Sequence, residues 1–277
     1  MHEATIVRLM NARPAEAPAS EADFRSSHPR FNHQLNTMGT NLPRDSTIER
    51  ARANMIEQQI RTWEVLSQDV LDILHIVHRE DFVPEPYRAL AFVDTEIPLI
   101  VDGQETGETM LAPKFEARIL QEVAVRANDS VLEVGAGSGY MAALLAFKAE
   151  RVVTVEIDPR LKAFAESNLA RAGVRNVRVE LGNGVGSGGG GDFRGAGWPA
   201  IGEVDVLVVS GSLPFVPKSL LDQVRVGGRL AAVVGDAPAM SAEIWRRTGE
   251  ATWDTVKIFE TVVKRLRDAP RVSQFVF

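Results

Sequence analysis

A chain of 277 residues that is 45% hydrophobic and 25% charged can bury one large core, or one core with an appendage, and has the composition of an ordinary globular protein. Its formal net charge of −6 argues against a broad basic nucleic-acid-binding face, and the absence of cysteine rules out disulfides, thiolate catalysis and cysteine-bound zinc. No apolar run approaches the ~20 residues needed to cross a bilayer, so the expectation is a cytoplasmic protein without nucleic-acid or membrane partners.

Residues 1–45 are rich in Ala, Pro, Ser, Asn and scattered charge and poor in periodic apolar positions, so a disordered tail is expected there, with Met38 as an alternative start. Acidic residues in it (Glu3, Glu16, Glu21, Asp23) count against a transit peptide. A helical extension is expected over 46–127. Ile48, Met55, Ile56, Ile60 and Trp63 fall on one helical face, and Ser67 is placed to cap a second helix with the stripe Val70, Leu71, Leu74 and Val77. Phe82-Val83-Pro84 and Ile97-Pro98-Leu99 read as extended segments, and Pro113 opens a third helix carrying Phe115, Ile119, Leu120 and Val123. His75 and His78 read as structural or surface residues, and no metal site is expected. The four tryptophans, Trp63, Trp198, Trp245 and Trp253, read as packing residues.

From 128 to 277 the chain alternates in the β-α manner. Strands are expected at 130–134, 152–156, 176–180, 204–209 and 228–234, and helices at 138–148, 159–172 and 217–225. Two closing strands are read at 243–247 and 255–260, although positions 259, 262, 263 and 266 also fit helical spacing. The fold class implied is α/β, a doubly wound, mostly parallel sheet whose strands read as continuous apolar runs because both faces are covered. Ten of the 22 glycines crowd into 182–202, read as a tolerated low-complexity loop.

The most informative stretch lies between the first strand of that sheet and the next helix. Glu133 lies within a buried strand that ends at Val134, and Gly135, Gly137 and Gly139 form a tight loop that brings bare backbone N–H groups toward a ligand. A dinucleotide fingerprint counted from Gly135 needs a small residue at 140, where Tyr140 stands. The pattern is E-x-G-x-G-x-G and resembles the first motif of S-adenosylmethionine-dependent methyltransferases. Glu156, at the end of the next strand, can accept from both hydroxyls of a ribose.

The segments preceding this loop carry a narrower resemblance. MIEQQI (55–60), R-x-x-F-V-P-E-P-Y-R-A-L-A-F-x-D-x-x-I-P-L (79–99), Gly103-Gln104 and TMLAP (109–113) occur in that order. The order is similar to the protein-L-isoaspartate O-methyltransferase family over roughly 50–235, and the similarity fades beyond Gly235. The resemblance implies methyl transfer from S-adenosylmethionine to the stray α-carboxylate of isoaspartyl residues in proteins, a repair reaction. Gly135, Gly137 and Gly139 would then lie under the methionine and ribose portions, beside Glu133. Glu156 would hold the ribose, and Asn183 with Gly184 would stand at the adenine, where the family usually has aspartate. Thr109 and Ser210 are the expected catalytic side chains, with Gly211 lining the transfer region and Asp94 helping to close the site over substrate.

One departure bears on the acceptor. The family's serine and glutamine after its threonine are replaced by Leu111 and Ala112, and leucine donates no hydrogen bond to an incoming carboxylate. Thr109 substituting for the serine, a less anionic acceptor on the same fold, and a non-catalytic S-adenosylmethionine-binding protein all fit that substitution. The equal rival for Thr109 is capping of the helix opened by Pro113, and for Asn183 a turn-forming Asn-Gly pair.

Overall fold

The computed structural model describes residues 46–185 and 202–270. The expected disordered tail and most of the glycine-rich loop, with Trp198, lie outside those residues.

The chain enters as α1 (Ser46–Met55), which runs on through a π-turn at Ile56–Ile60 and a 3-10 turn at Arg61–Trp63. Met55, Ile56 and Ile60 are buried, but Ile48, expected on the same stripe, is exposed. In α2 (Gln68–Ile76), Val70, Leu71, Ile73 and Leu74 are buried, as the 3.6-residue period requires. Ser67 occupies the N-cap position, yet its side chain makes no capping bond. The expected cap is replaced from outside the helix: Gln121 Oε1 accepts from the backbone N–H groups of Leu66 and Ser67, at 2.8 and 3.0 Å.

The segment around Phe82 is not extended. It falls between 3-10 turns at Arg79–Asp81 and Glu85–Leu90, with Phe82 at φ −104°, ψ −9°. The Ile97 segment does form a strand, β1 (Ile97–Val101), and it turns back through Asp102-Gly103 into an unexpected β2 (Gln104–Met110), an antiparallel hairpin. Then α3 (Pro113–Val123) buries Phe115, Ala117, Ile119, Leu120 and Val123.

The remaining elements build one sheet. These are β3 (Ser130–Val134), α4 (Tyr140–Lys148), β4 (Arg151–Glu156), α5 (Pro159–Arg171), β5 (Val177–Leu181), β6 (Val204–Leu213), α6 (Lys218–Leu221), β7 (Val224–Asp236), β8 (Ala239–Arg247) and β9 (Trp253–Glu260). Spatial order is β5-β4-β3-β6-β7-β8-β9, parallel from β5 to β7, with β8 and β9 added antiparallel. The expected α/β class and its closing strands are observed. The helix expected at 217–225 shrinks to four residues, because β7 starts at Val224, pairing with Val204, and passes a positive-φ glycine, Gly227, before its regular ladder with β6. Trp245 and Trp253 pack against the core, and Trp63 meets Phe259 edge-on at 4.8 Å between ring centroids.

Every residue of β3 is buried, as is every residue of β4 after Arg151, which suits parallel strands covered on both faces. The chain leaves β3 toward β4 and β5 on one side and later returns on the other side with β6. Sheet order therefore reverses between β3 and β6, and open α/β sheets hold ligands beyond the strand ends at such a point.

Candidate functional site

A cleft opens at that reversal point, where open α/β sheets hold their ligands. Among the described residues, Thr109, Leu111, Glu133, Gly135, Gly137, Glu156, Asn183, Gly184 and Ser210 of the expected site line it. The structure does not bring Gly139, Asp94, Ala112 or Gly211 into that lining.

The glycine loop is held from both sides. Gly135, at φ +97°, donates its N–H to the carbonyl of Val155 at 2.8 Å, and a Cβ there would press to 3.2 Å on the Ser210 carbonyl oxygen and on Leu266. Gly137 donates to Glu156 Oε2 at 2.9 Å. Gly139 serves a different purpose from the one expected. It is the left-handed N-cap of α4, and a Cβ would meet Ala165 and Leu169 of α5, so it permits helix packing. Gly184 is fixed by contact, since a Cβ there would fall 2.4 Å from Val134.

Glu156 organises the loop as well as facing the cleft. Besides Gly137, it accepts from the backbone N–H groups of Ile157 and Asp158 through Oε1, at 2.9 and 3.0 Å. Three of the roughly four lone-pair positions of a carboxylate are thus occupied, and the one left is on Oε2. Asp158 caps α5 by accepting from the N–H of Arg160, and the guanidinium of that arginine holds its carboxyl well below the usual range.

Glu133 is fully buried in the middle of an apolar strand, where an ionisable group is costly and its presence calls for a reason. Ser210 donates to its Oε1 at 2.7 Å; its Oε2 has no partner among the described residues. Burial pushes the carboxyl up to about 8, with the Ser210 and Thr154 hydroxyls working against the shift. The folded protein therefore holds a proton that the unfolded chain releases near the ordinary Glu value. Stability from this group is full at low pH and declines as pH rises toward 8, by at most about 1.4 kcal/mol per unit. Urea titrations at pH 5.5 and 8.5 should show a pH dependence that flattens in Glu133→Gln; an equal slope in both proteins would contradict the shift.

On the opposite wall, Thr109 does not cap α3. Its hydroxyl donates to Glu96 Oε2 at 2.8 Å. Leu111 is 8% exposed and lines the cleft, and its carbonyl accepts from Arg79 Nη2 at 2.6 Å. Arg79 is itself buried, ion-paired to Glu116, and packed over the Tyr140 ring at 5.1 Å. Burial raises the Glu116 carboxyl against the opposing charge of Arg79. Ala112 is the N-cap residue of α3, and its carbonyl takes the N–H groups of Phe115 and Glu116. Asp94 pairs with Lys114 at 2.6 Å. Asn183 Oδ1 accepts from Val185 N–H at 2.9 Å, so its turn role is realised in a residue that also faces the cleft. His75 is part-buried and its pKa is lowered, chiefly by burial; His78 has Asp81 at 3.8 Å.

Sequence reasoning missed the cleft residues Glu108, Glu116, Leu266 and Arg267. The last two belong to a strap after β9. Ser212 donates its N–H to the Lys264 carbonyl and accepts from the N–H of Leu266, at 2.9 and 3.1 Å. Leu266 then covers Gly211, where a Cβ would fall 2.5 Å from it. Gly211 therefore receives the strap instead of facing a ligand. No local periodicity marks the segment; the small residue at 211 was the available signal.

The protein family described as Protein-L-isoaspartate(D-aspartate) O-methyltransferase (PCMT) matches residues 50–263, past Gly235 where the resemblance was expected to fade. A protein-L-isoaspartate O-methyltransferase of Methanoculleus marisnigri is 38% identical over 67% of this chain and 78% of its own length. One from Rhodopseudomonas palustris is 37% identical over 71% and 84%. A solved protein-L-isoaspartate O-methyltransferase superposes with TM-score 0.64 at 22% identity, over 78% of this chain and 65% of that one. A Plasmodium falciparum structure described as a beta-aspartate methyltransferase in complex with S-adenosyl-L-homocysteine gives 0.62 at 18%, over 79% and 97%. At those identities the two structures speak for the fold. No helix among the described residues is long and apolar enough to cross a membrane.

Proposed function

The chain belongs to the protein-L-isoaspartate(D-aspartate) O-methyltransferase family, and on that premise we propose that it methylates the α-carboxylate of isoaspartyl residues in cytoplasmic proteins, with S-adenosylmethionine as donor. The observation that carries this reading is the cleft itself. Two buried acids and two glycines without room for a side chain meet at the reversal point of the sheet, and one acid oxygen is unpartnered.

The residues fit the donor. Glu156 has one acceptor position left, for a single ribose hydroxyl, Gly135 and Gly137 let the ligand approach backbone, and Asn183 with Gly184 would stand at the adenine end. Glu133 Oε2, which has no hydrogen-bond partner among the described residues, is a candidate hydrogen-bonding group for the methionine end. When bound, S-adenosylmethionine supplies a methyl on a positively charged sulfonium. Transfer of that methyl to an acceptor oxygen that is already ionised, with the electron pair of the S–C bond left on sulfur, would require no side chain here to remove a proton. Thr109 and Ser210 suit that chemistry because neither is armed as a base. Each already donates its hydroxyl hydrogen bond to an acid oxygen, Thr109 to Glu96 and Ser210 to Glu133, and so contributes placement and walls.

Calorimetry with S-adenosylmethionine, followed by labelled methyl transfer to an isoaspartyl peptide and its aspartyl twin, tests the reading. Saturable binding and transfer to the isoaspartyl peptide alone are expected. Failure to bind refutes the assignment, and binding without transfer moves it to another acceptor. Leu111→Ser adds a hydroxyl to the acceptor wall. One hydrogen bond to a charged group, ~1.5–3 kcal/mol, should raise kcat/KM for the isoaspartyl peptide by roughly 10- to 100-fold, and an unchanged value would show that the wall does not discriminate there.

A further inference from the structure

The acceptor in the reaction above is an anion, and the cleft is poorly suited to one. Glu108 and Glu156 line it together with two buried acids, Glu116 and Glu133, whose carboxyls burial shifts toward the neutral form, while Arg267 is the single cationic side chain in the lining among the described residues. The hydroxyls on the acceptor side are committed as donors, Thr109 to Glu96 and Ser210 to Glu133, and Leu111 offers no side-chain donor. A carboxylate brought there without a charged or hydrogen-bonding partner would be strongly disfavoured.

Arg267 is placed to supply that partner. The strap that carries it is pinned to β6 through Ser212, with Leu266 seated over Gly135 and Gly211 next to Ser210. Its guanidinium is held in a fixed plane by three bonds: Nε to Glu108 Oε1 at 2.6 Å, Nη1 to Asp158 Oδ2 at 3.1 Å and Nη2 to the Thr106 carbonyl at 2.9 Å. Three of its five N–H groups are used, leaving one on each terminal nitrogen, and its side chain is 37% exposed. Glu108 also pairs with Lys264 at 2.9 Å, so that acid remains partnered if Arg267 turns toward a ligand. An arginine so oriented, with donors spare, is a carboxylate receptor.

We propose that Arg267 is the specificity residue for the acceptor, binding the α-carboxylate of the isoaspartyl residue from the C-terminal strap and taking the place of the hydroxyl that Leu111 lacks. This rests on the isoaspartyl reading of the function. The same side chain braces Asp158, beside the ribose acid Glu156, so any effect on the donor must be measured apart from the effect on the acceptor.

The test uses the full chain and two peptides of one sequence. One carries a free isoaspartyl α-carboxylate; the other carries the α-carboxamide, which cannot be methylated and is read as a competitive inhibitor. In the unaltered protein the carboxylate peptide should bind at least tenfold tighter than the carboxamide. Arg267→Gln should raise KM for the carboxylate peptide roughly 10- to 100-fold at saturating S-adenosylmethionine and bring the two peptides close to equal, with Arg267→Lys recovering part of the preference. A bracing role alone would weaken both peptides together, or only S-adenosylmethionine, and so would overturn the proposal. So would an unchanged KM and preference in an active Arg267→Gln protein. If the unaltered protein binds S-adenosylmethionine but transfers nothing to the isoaspartyl peptide, the isoaspartyl reading fails and this assignment falls with it.

Discussion

Arg79→Met should lower the folding free energy by about 3–5 kcal/mol, the cost of removing one partner from a buried ion pair. Arg79 is 1% exposed and Glu116, its partner, 3%. The substitution leaves the carboxylate without its counter-charge, strips a donor from the Leu111 carbonyl and removes the cation packed on Tyr140. Burial already favours the protonated form of Glu116, so it would take up a proton and the loss should be smaller at low pH than at high pH. Urea denaturation at pH 6 and pH 8 measures both. The double variant Arg79→Met with Glu116→Leu should recover much of the stability, because replacing both members of a buried pair by apolar groups leaves nothing unpaired. A loss below about 1 kcal/mol in the single variant would mean that the pair contributes no more than an exposed one. The consequence for function follows from the Leu111 carbonyl. Arg79 ties the acceptor wall to the core, so transfer should fall further than binding of S-adenosylmethionine does.

Glu156→Ala should weaken S-adenosylmethionine at least 100-fold. The carboxylate accepts from Gly137, Ile157 and Asp158 and has one position left for the ribose. Hydrogen bonds to a charged group are worth about 1.5–3 kcal/mol each, so losing the ribose contact and the support of the loop together gives two orders of magnitude or more. Glu156→Gln should fall between, since the amide oxygen can still accept while its NH2 confronts a backbone N–H on the other side. Calorimetric affinities for the three proteins settle this, and a change of threefold or less in the alanine variant would remove Glu156 from the binding site.

Much of the glycine-loop side of the cleft was legible in the chain because its residues are close in sequence and their chemistry is set locally. A buried parallel strand reads as an apolar run, so an acid inside it, Glu133, stands out, and the glycines after it mark a turn that other residues cannot make. Glu156 follows from the next strand end by the same logic. The glycine count nonetheless over-reached. Gly139 and Gly211 are small because a helix and a strap press on them, and contact against distant chain has no local signature.

The acceptor half was illegible for a related reason. QETGETM has too many polar residues to read as a strand, yet Gln104–Met110 forms one by pairing with Ile97–Val101. That pairing sets Thr109 against Glu96, 13 residues away, and decides that its hydroxyl is spent. Arg267 reaches Thr106, Glu108 and Asp158 from more than 100 residues away, through a strap whose course is fixed by hydrogen bonds to Ser212.

The sequence by itself thus determined the α/β class, the glycine turn with its two acids, the family and the substitution at Leu111. These depend on burial periodicity, backbone stereochemistry and residue order, all of which are written along the chain. Only the tertiary structure decided which hydroxyls are already bonded, which glycines face the cleft and which cation lines it. Those depend on where remote segments cross, and a side chain's free valences are known only after its neighbours in space are known.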